Sequence, residues 1–439
     1  PPKGKVARSN RAGVATFPVY PAVTCRVARD PLGSHRALRQ SRAIQPRGSP
    51  NLEPCFEQSR GNWPLRLCKP FKFALLVALA LGMTAAFGLA TIKTWRACAY
   101  RAVGEAGVVD TLALSIRGTT QYLFVRGYDR SRPLLLFLPG GPGESFVPLA
   151  GEFSDELEHD FIVVHIENGG FGKSTKYTTG PTLEQMVEDT GRVVDHLLTR
   201  FDRKALYLVG HSFGSILALK LAQAQPQKVL GVATVGQAVD WRAGNRITHE
   251  HLLALARKEQ DYAALADLAG IAPDLSTTAE GRPMIDFASV KRQREWLEHY
   301  GLNNILLQHT AKARWFTYLG SPNHTLAESC DLIYRGPCKW IADPQWWSQW
   351  NNILPGVLEF NAARDVPQLE IPYIAIVGSN DWITPGLLTR QYFDALIAPE
   401  KRFIEIPGAQ HYTFLDKPHE FQQAVRTLLS LTHESSGQP

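Results

Sequence analysis

The sequence predicts an α/β fold: a mostly parallel sheet flanked by helices, with an inserted helical cap. Short apolar strands alternate with helical segments over residues 108–240 and again over 365–433, which is typical of a parallel sheet covered on both faces. Residues 241–364, between these two core stretches, have helical spacing without clear strands. We therefore expect a core built from two separated stretches and a cap built from the residues between them.

The predicted strands are short, apolar and bounded by turn residues. Val108–Ile116 and Tyr122–Val125 flank a turn and are expected to be antiparallel. The other predicted strands are Leu134–Leu138, Phe161–Ile166, Leu206–Val209, Val229–Val235, Tyr373–Val377 and Arg402–Ile406. Thr182 is the predicted cap of a helix that runs to about Phe201, and a final helix is expected over about Pro418–Leu431.

The stretch around Ser212 has the local pattern of a nucleophile elbow. A short apolar strand leads into Gly-His-Ser-Phe-Gly at residues 210–214, and an apolar helix follows. Gly210 and Gly214 have no Cβ, so strand and helix can approach closely around a strained turn. The alternative is a chance Gly-x-Ser-x-Gly in a loop. The flanking strand and helix favour the elbow, with the Ser212 hydroxyl at the carboxyl end of the strand.

Asp381 and His411 complete a candidate catalytic triad. Each residue follows a predicted strand, so each is expected at the carboxyl edge of the sheet. The chain order Ser, Asp, His is the order in which a nucleophile elbow is followed by its acid and its base. We therefore predict Ser212 as nucleophile, His411 as base and Asp381 as the acid that orients the imidazole.

A glycine-rich loop after the strand Leu134–Leu138 is the candidate oxyanion hole. Its sequence is Pro-Gly-Gly-Pro-Gly at residues 139–143, and adjacent glycines leave backbone N–H groups unobstructed. A plain turn is the alternative interpretation. We predict that the N–H groups of Phe213 and of Gly141 or Gly140 bind the oxyanion. This chemistry needs no metal and no organic cofactor.

The net charge of +6 is unevenly distributed along the chain. Residues 1–72 carry 14 Lys and Arg against 3 Asp and Glu, whereas the remainder carries 33 against 38. The predicted catalytic part is mildly acidic, which argues against nucleic acid as a partner. The basic stretch is rich in Pro, Gly, Ser and Arg, and we predict a disordered tail. We also hypothesise that this tail is an over-extended reading frame, absent from the natural protein.

Residues Phe73–Ile92 form an uncharged apolar run. In a helix this run would span the hydrocarbon core of a bilayer, roughly 30 Å. A transmembrane signal anchor is our first interpretation, and a signal peptide cleaved near Gly88-Leu89-Ala90 is the second. A buried core helix is the third. The first two imply a membrane-anchored or exported protein whose catalytic domain is extracytoplasmic.

Two cysteines, Cys330 and Cys338, lie in the predicted globular part. Gly336-Pro337 favours a turn between them, so a local disulfide is expected in an oxidising compartment; two buried free thiols are the alternative. A metal site is not expected, because no second Cys or His pair stands at ligand spacing.

These motifs together resemble the α/β-hydrolase superfamily and, within it, the proline iminopeptidase family. The resemblance covers about residues 110–240 and 365–433. Pro139 to Gly143 corresponds to the family's His-Gly-Gly-Pro-Gly, and Glu167 to Ser174 to its Asp-Gln-Arg-Gly-x-Gly-x-Ser. The elbow and the segments around the predicted acid and base complete the match. The resemblance implies a hydrolase with an acyl-enzyme intermediate and a small-molecule or short-peptide substrate.

The resemblance also implies substrate contacts from the cap. In proline iminopeptidases a cap Trp-x-x-Trp-Glu segment supplies an acid for the substrate's free amine. The nearest match here is Trp347 to Asn351. Trp347 and Trp350 have the spacing of the family's two tryptophans, and Asn351 stands in place of the acid. Glu295 and Glu298 are the alternative acids. A carboxylesterase or lipase-like hydrolase is therefore the second predicted function, and a non-catalytic binding protein on the same fold is the third.

Overall fold

The computed structural model describes residues 69–141, 143–170, 172–271, 286–303, 313–335 and 351–436. The predicted disordered tail falls almost entirely outside the described residues. Three of the predicted site residues, Cys338, Trp347 and Trp350, also lie outside them.

Within the described residues, eight strands form one sheet, as the alternation of apolar runs predicts. They are β1 (Val108–Ile116), β2 (Thr119–Gly127), β3 (Leu134–Leu138), β4 (Ile162–Glu167), β5 (Leu206–His211), β6 (Val229–Val235), β7 (Tyr373–Gly378) and β8 (Lys401–Ile406). The strand order is β1-β2-β4-β3-β5-β6-β7-β8. β1–β2 and β2–β4 pair antiparallel, and the remaining pairs are parallel. The mostly parallel sheet is thus confirmed.

Helices pack on both faces of this sheet, and further helices precede it or are inserted between β6 and β7. In chain order they are α1 (Lys69–Arg101), α2 (Ala150–Phe153), α3 (Leu183–Phe201), α4 (Phe213–Ala224), α5 (Trp241–Lys258), α6 (Tyr262–Leu268), α7 (Phe287–His299), α8 (Ala313–Leu319), α9 (Leu326–Arg335), α10 (Leu354–Glu359), α11 (Ala362–Asp365), α12 (Gly386–Ala395), α13 (Thr413–Asp416) and α14 (Pro418–Ser436). The described residues between β6 and β7 are helices and loops, the arrangement expected of an inserted cap.

Four strands in the middle of the sheet are buried over their whole length. Each residue of β3, β4, β5 and β7 is buried, which explains why these strands are mostly apolar and lack an alternation of apolar and polar residues. Two hydrophobic clusters cover opposite faces of the sheet, one including Leu217 of α4 and the other Phe421 of α14.

Helix α3 begins where its capping signal predicts. The Thr182 hydroxyl accepts a hydrogen bond from the N–H of Gln185, and the Gln185 side chain returns a bond to the N–H of Thr182. This reciprocal pair satisfies two N–H groups that would otherwise lack partners at the helix start.

Helix α1 contains the long apolar run. Within the described part of the chain, Phe73–Arg101 is the one helical stretch long and apolar enough to cross a membrane. Its most apolar 18-residue segment has a mean hydropathy of 2.2 and is not buried in the protein. The helix continues past the end of the apolar run to Arg101, and six residues separate it from β1.

Candidate active site

Ser212 lies between β5 and α4 in a strained backbone conformation. Its φ is 50° and its ψ is −119°, a region that residues with a side chain rarely adopt. The N–H of Ser212 donates to the carbonyl of Val235, at the end of β6, over 2.9 Å. The sharp turn leaves the side chain half-buried at the carboxyl edge of the sheet, as the elbow pattern predicts.

The two glycines of the elbow are required by close backbone contacts. A Cβ on Gly210 would lie 2.5 Å from the carbonyl oxygen of Gly214. A Cβ on Gly214 would lie 2.2 Å from the carbonyl oxygen of Leu138, the last residue of β3. These contacts bring the start of α4 directly against the strand that leads into the glycine-rich loop.

Asp381 and His411, which follow β7 and β8, are joined in the structure. Nδ1 of His411 lies 2.9 Å from Oδ2 of Asp381, and both side chains are buried. With Nδ1 engaged by the carboxylate, Nε2 is the ring nitrogen left for proton transfer.

The Asp381 carboxylate is held by its own loop as well as by His411. Oδ1 accepts the N–H groups of Ile383 and Thr384, each over 2.9 Å, and Oδ2 accepts the Thr384 hydroxyl over 2.8 Å. Burial opposes ionisation here, but the interaction with His411 and these hydrogen bonds hold the pKa of Asp381 below its ordinary value.

The strand end beside Ser212 also contacts the Asp381–His411 pair. Gly236 directly follows Val235, which binds the Ser212 N–H, and a Cβ at position 236 would lie 2.9 Å from Nδ1 of His411. On the other side, Nε2 of His211 lies 3.1 Å from the carbonyl oxygen of His411. Gly236 therefore lies against the imidazole of His411, and His211, next to Ser212, contacts the backbone of the same residue.

The glycine-rich loop forms a tight turn next to the elbow. The N–H groups of Gly143 and Glu144 donate to the carbonyl of Gly140 over 3.1 and 3.2 Å. Gly141 has a φ of 111°, a conformation that favours glycine. Since β3 and β5 are paired with Leu138 opposite Gly210, this turn and the Phe213 N–H share one edge of the sheet.

Sequence patterns did not single out Glu144 and Tyr412, which join the glycine-rich loop to the His411 loop. The Tyr412 hydroxyl donates to Oε1 of Glu144 over 2.6 Å. Oε2 is buried and has no hydrogen-bond partner within the described residues. Burial raises the pKa of Glu144, although the Tyr412 hydrogen bond and the charge of His411 oppose the shift. The one sequence signal for Tyr412 was its position next to the predicted base. No sequence signal pointed to Glu144.

The cap helix α7 carries Arg294, a cation near the predicted triad that the sequence analysis also missed. Burial lowers the pKa of the Arg294 guanidinium to about 10, while the charge of Asp381 opposes this shift. Of the two predicted acids, Glu295 is exposed and pairs with Lys291 over 3.0 Å. Glu298 is half-buried one turn after Arg294; burial raises the pKa of Glu298, and the charge of Glu295 adds to the rise. Neither acid forms a hydrogen bond with the predicted triad among the described residues.

The predicted disulfide stays a prediction. Cys330 lies in α9, is exposed and forms no disulfide with another described residue. Its expected partner, Cys338, lies outside the described residues.

Comparison with known proteins gives one family and several individual relatives. The family model described as alpha/beta hydrolase fold matches residues 133–418. The chain is similar to "Probable aminopeptidase YbaC" of Bacillus subtilis (strain 168), with 27% identity over 331 residues, covering 71% of this chain and 93% of that protein. A shorter match to "Probable proline iminopeptidase" of Leptolyngbya boryana has 29% identity over 134 residues and covers 30% of this chain and 38% of that protein.

Solved structures show the same fold at low sequence identity. A membrane phospholipase A, described as a bacterial virulence factor, superposes with a TM-score of 0.52 at 18% identity and covers 83% of this chain and 99% of its own. A proline iminopeptidase of Mycobacterium smegmatis superposes with a TM-score of 0.50 at 16% identity, covering 74% of this chain and 100% of its own. At these identities the likeness concerns the fold alone.

Proposed function

Because the chain belongs to the alpha/beta hydrolase fold family, we propose that it is a serine hydrolase acting through Ser212, His411 and Asp381. The observation that carries the proposal is the 2.9 Å contact between Nδ1 of His411 and Oδ2 of Asp381, on loops that meet the strained turn of Ser212. A hydrolase is the common activity of this family's members, and a strained elbow serine supplies the nucleophile.

In the first step His411 takes the proton of the Ser212 hydroxyl on Nε2, and the oxygen attacks the substrate carbonyl. The Asp381 carboxylate keeps the imidazole in the tautomer with a proton on Nδ1 and stabilises the imidazolium that forms. The pKa of Asp381 is held below its ordinary value, so this carboxylate is charged near neutral pH.

The tetrahedral intermediate carries its negative charge on the former carbonyl oxygen. We assign the N–H groups of Phe213 and Gly141, with Gly140 as the alternative, to this oxyanion; removing one such donor typically raises the barrier by roughly 3 kcal/mol. The leaving amine or alcohol takes the proton from His411. Water, deprotonated by the same imidazole, then hydrolyses the acyl-Ser212 ester and restores the enzyme.

For the substrate we propose a short peptide with a free amino terminus, as for an aminopeptidase of the proline iminopeptidase type. The support is the likeness to the protein named probable aminopeptidase, which extends over 93% of that protein. Half-buried Glu298 is the candidate acid on α7 for the substrate's amine, and Trp347 and Trp350 are the candidate aromatic contacts.

Ester hydrolysis is the second candidate. Glu295, one of the two predicted acids, is exposed and already paired with Lys291, and Asn351 replaces the acid of the family's cap motif. A pocket with fewer acids binds a free amine less well, and an uncharged ester then becomes the better substrate.

Two measurements test these assignments. A fluorophosphonate probe should label wild-type protein and fail to label Ser212→Ala; equal labelling of both would refute the serine mechanism, and no labelling would favour a non-catalytic binding protein. Paired kinetics on a prolyl arylamide and a short p-nitrophenyl ester then separate aminopeptidase from esterase. Glu298→Gln should raise KM for the arylamide and leave KM for the ester unchanged if Glu298 binds the amine.

We further propose that α1 anchors the protein in a membrane as an uncleaved signal anchor, with the catalytic domain extracytoplasmic. The support is its length, the mean hydropathy of 2.2 in its most apolar segment and the unburied surface of that segment. Sequencing of the natural amino terminus decides between anchor and cleaved peptide. A terminus near residue 91 would exclude the anchor, and a peptide from the first sixty residues would exclude the over-extended reading frame.

A further inference from the structure

Lys93, in the carboxyl-terminal part of α1, binds a turn of the cap. Nζ of Lys93 donates to the carbonyl oxygens of Ser321 over 2.7 Å and His324 over 2.5 Å, and it lies 3.5 Å from that of Leu319. We call residues 319–324 the cap turn. Leu319 ends α8, so its carbonyl has no partner within that helix, and the ammonium group of Lys93 lies next to it. A second cation of α1, Arg96, reaches the carbonyl of Thr317 over 3.4 Å.

The cap turn in turn holds a buried histidine against the core. Nε2 of His324 lies 2.8 Å from Oε1 of Glu167, at the end of β4, and both side chains are fully buried. Nδ1 of His324 lies 2.9 Å from the hydroxyl of Ser321, in the same turn. Glu167 thus keeps a buried polar partner although Gly169 replaces the arginine of the proline iminopeptidase motif.

Glu167 connects this histidine to the loops around the candidate active site. Its Oε1 also accepts the hydroxyl of Ser145, which directly follows the glycine-rich loop and Glu144. Its Oε2 accepts the N–H of Lys173 over 2.7 Å. The carboxylate fills the space beside Gly172, where a Cβ would lie 2.0 Å from Oε1. A shift of Glu167 would therefore shift both the glycine-rich loop and the loop that follows β4.

We propose that α1 is a working part of the active site and not only an anchor, with Lys93 as a positioning residue for the oxyanion hole. Lys93 fixes the cap turn, His324 transmits this position to Glu167, and Glu167 fixes Ser145 and the glycine-rich loop. The inference rests on the proposed use of that loop in binding the oxyanion. Cleavage near Ala90 would leave Lys93 at a frayed helix end, so the cleaved form would lose this support.

The first test compares Lys93→Met with Lys93→Arg in the full chain, purified in detergent. Met keeps the apolar stem and loses the donors, so kcat for the better of the two substrates should fall roughly tenfold while KM changes less than about twofold, as for loss of transition-state stabilisation. Arg keeps the donors and should recover most of kcat. Arg101→Met, which removes an exposed cation from the same helix, is the matched control and should match wild type.

A second readout does not depend on activity. Hydrogen exchange of peptides covering residues 139–149 should be faster in K93M than in wild type and R101M, because the loop loses its support. Wild-type kcat together with wild-type exchange in K93M would overturn the inference. If wild-type protein hydrolyses neither substrate, the proposed function fails, while the exchange rates still decide whether α1 holds the loop.

A further test removes His324, the second residue in the series of contacts that runs from Lys93 to Glu167. His324→Ala should reproduce the loss of kcat and the faster exchange, and His324→Gln, which retains a donor for Glu167, should restore part of both. In the double variant K93M/H324A the two losses should not add, since both residues act through Glu167. If K93M does not fold, H324A decides alone: wild-type kcat and exchange in H324A overturn the inference.

Discussion

Gly236 lies against His411 so closely that any side chain at position 236 would displace the imidazole. An added Cβ would lie 2.9 Å from Nδ1 of His411 and 3.1 Å from Oδ2 of Asp381. The φ of Gly236 is 52°, so the backbone there also favours glycine. The residue that follows β6 therefore packs directly against the Asp381–His411 pair.

Gly236→Ala should lower kcat by about two orders of magnitude, because small displacements of a base from its nucleophile have effects of that size. Gly118→Ala is the matched control: its φ is 74°, but nothing lies within 4 Å of an added Cβ. Both variants should lose about 1 kcal/mol of stability from the left-handed backbone. A G236A enzyme with kcat near that of G118A would contradict the predicted role of the Asp381–His411 pair.

Thr384 is predicted to orient the catalytic carboxylate. Thr384→Val removes the hydroxyl that donates to Asp381 over 2.8 Å, whereas Thr384→Ser keeps it. We expect kcat to fall about tenfold in T384V and to stay near wild type in T384S, since a hydrogen bond to a charged group contributes roughly 1.5–3 kcal/mol. Equal kcat values in the two variants would argue against this role.

The same substitution has a pH signature. The pKa of Asp381 is held below 3.8, so the stability gained from its interactions is present above about that pH and is lost as the pH falls through the folded value. The difference in unfolding free energy between wild type and T384V should therefore be largest near neutral pH and shrink in acid. Urea titrations at several pH values measure it.

Glu144 is predicted to show the opposite dependence. Burial raises the pKa of Glu144 above 4.5, so the folded protein holds this proton more tightly than the unfolded chain does. Stability from this group is present below about pH 4.5 and is lost as the pH rises through the folded value. Glu144→Gln cannot ionise and should lack this loss, so its stability relative to wild type should increase with pH.

Tyr412→Phe tests whether the hydrogen bond from Tyr412 helps to set the pKa of Glu144. The Tyr412 hydroxyl donates to the Glu144 carboxylate and favours its charged form, so removing it should raise the pKa further. The loss of stability should then extend to higher pH than in wild type. A pH profile of Y412F that coincides with that of wild type would show that the hydrogen bond does not set this pKa.

The local patterns of the sequence were sufficient for the sheet and for the predicted triad. β1, β3 and β6 begin and end at the predicted residues, because turn residues bound each run. The α/β class and the resemblance to the α/β-hydrolase superfamily are confirmed by the sheet and the family match. Ser212, Asp381 and His411 were proposed as a triad because each follows its own strand, and parallel strands bring their carboxyl ends together.

Contacts between distant residues could not be predicted in this way. Glu144 meets Tyr412 across 268 residues, and His324 meets Glu167 across 157. No local pattern marks either pair, since a lone acid or histidine is usually a surface residue.

The backbone strain at Ser212 gives the last prediction. A residue with a side chain in this conformation loses of order 1–3 kcal/mol, and glycine avoids that loss at an entropic penalty of roughly 0.5–1 kcal/mol. Ser212→Gly should therefore be inactive but more stable than Ser212→Ala, which keeps the strain and lacks the same hydroxyl. At the exposed Ser430 of α14 the order should reverse, because glycine destabilises a helix by about 1 kcal/mol relative to alanine. If S212G melted below S212A, the elbow would not be strained, and the geometry assigned to the nucleophile would be wrong.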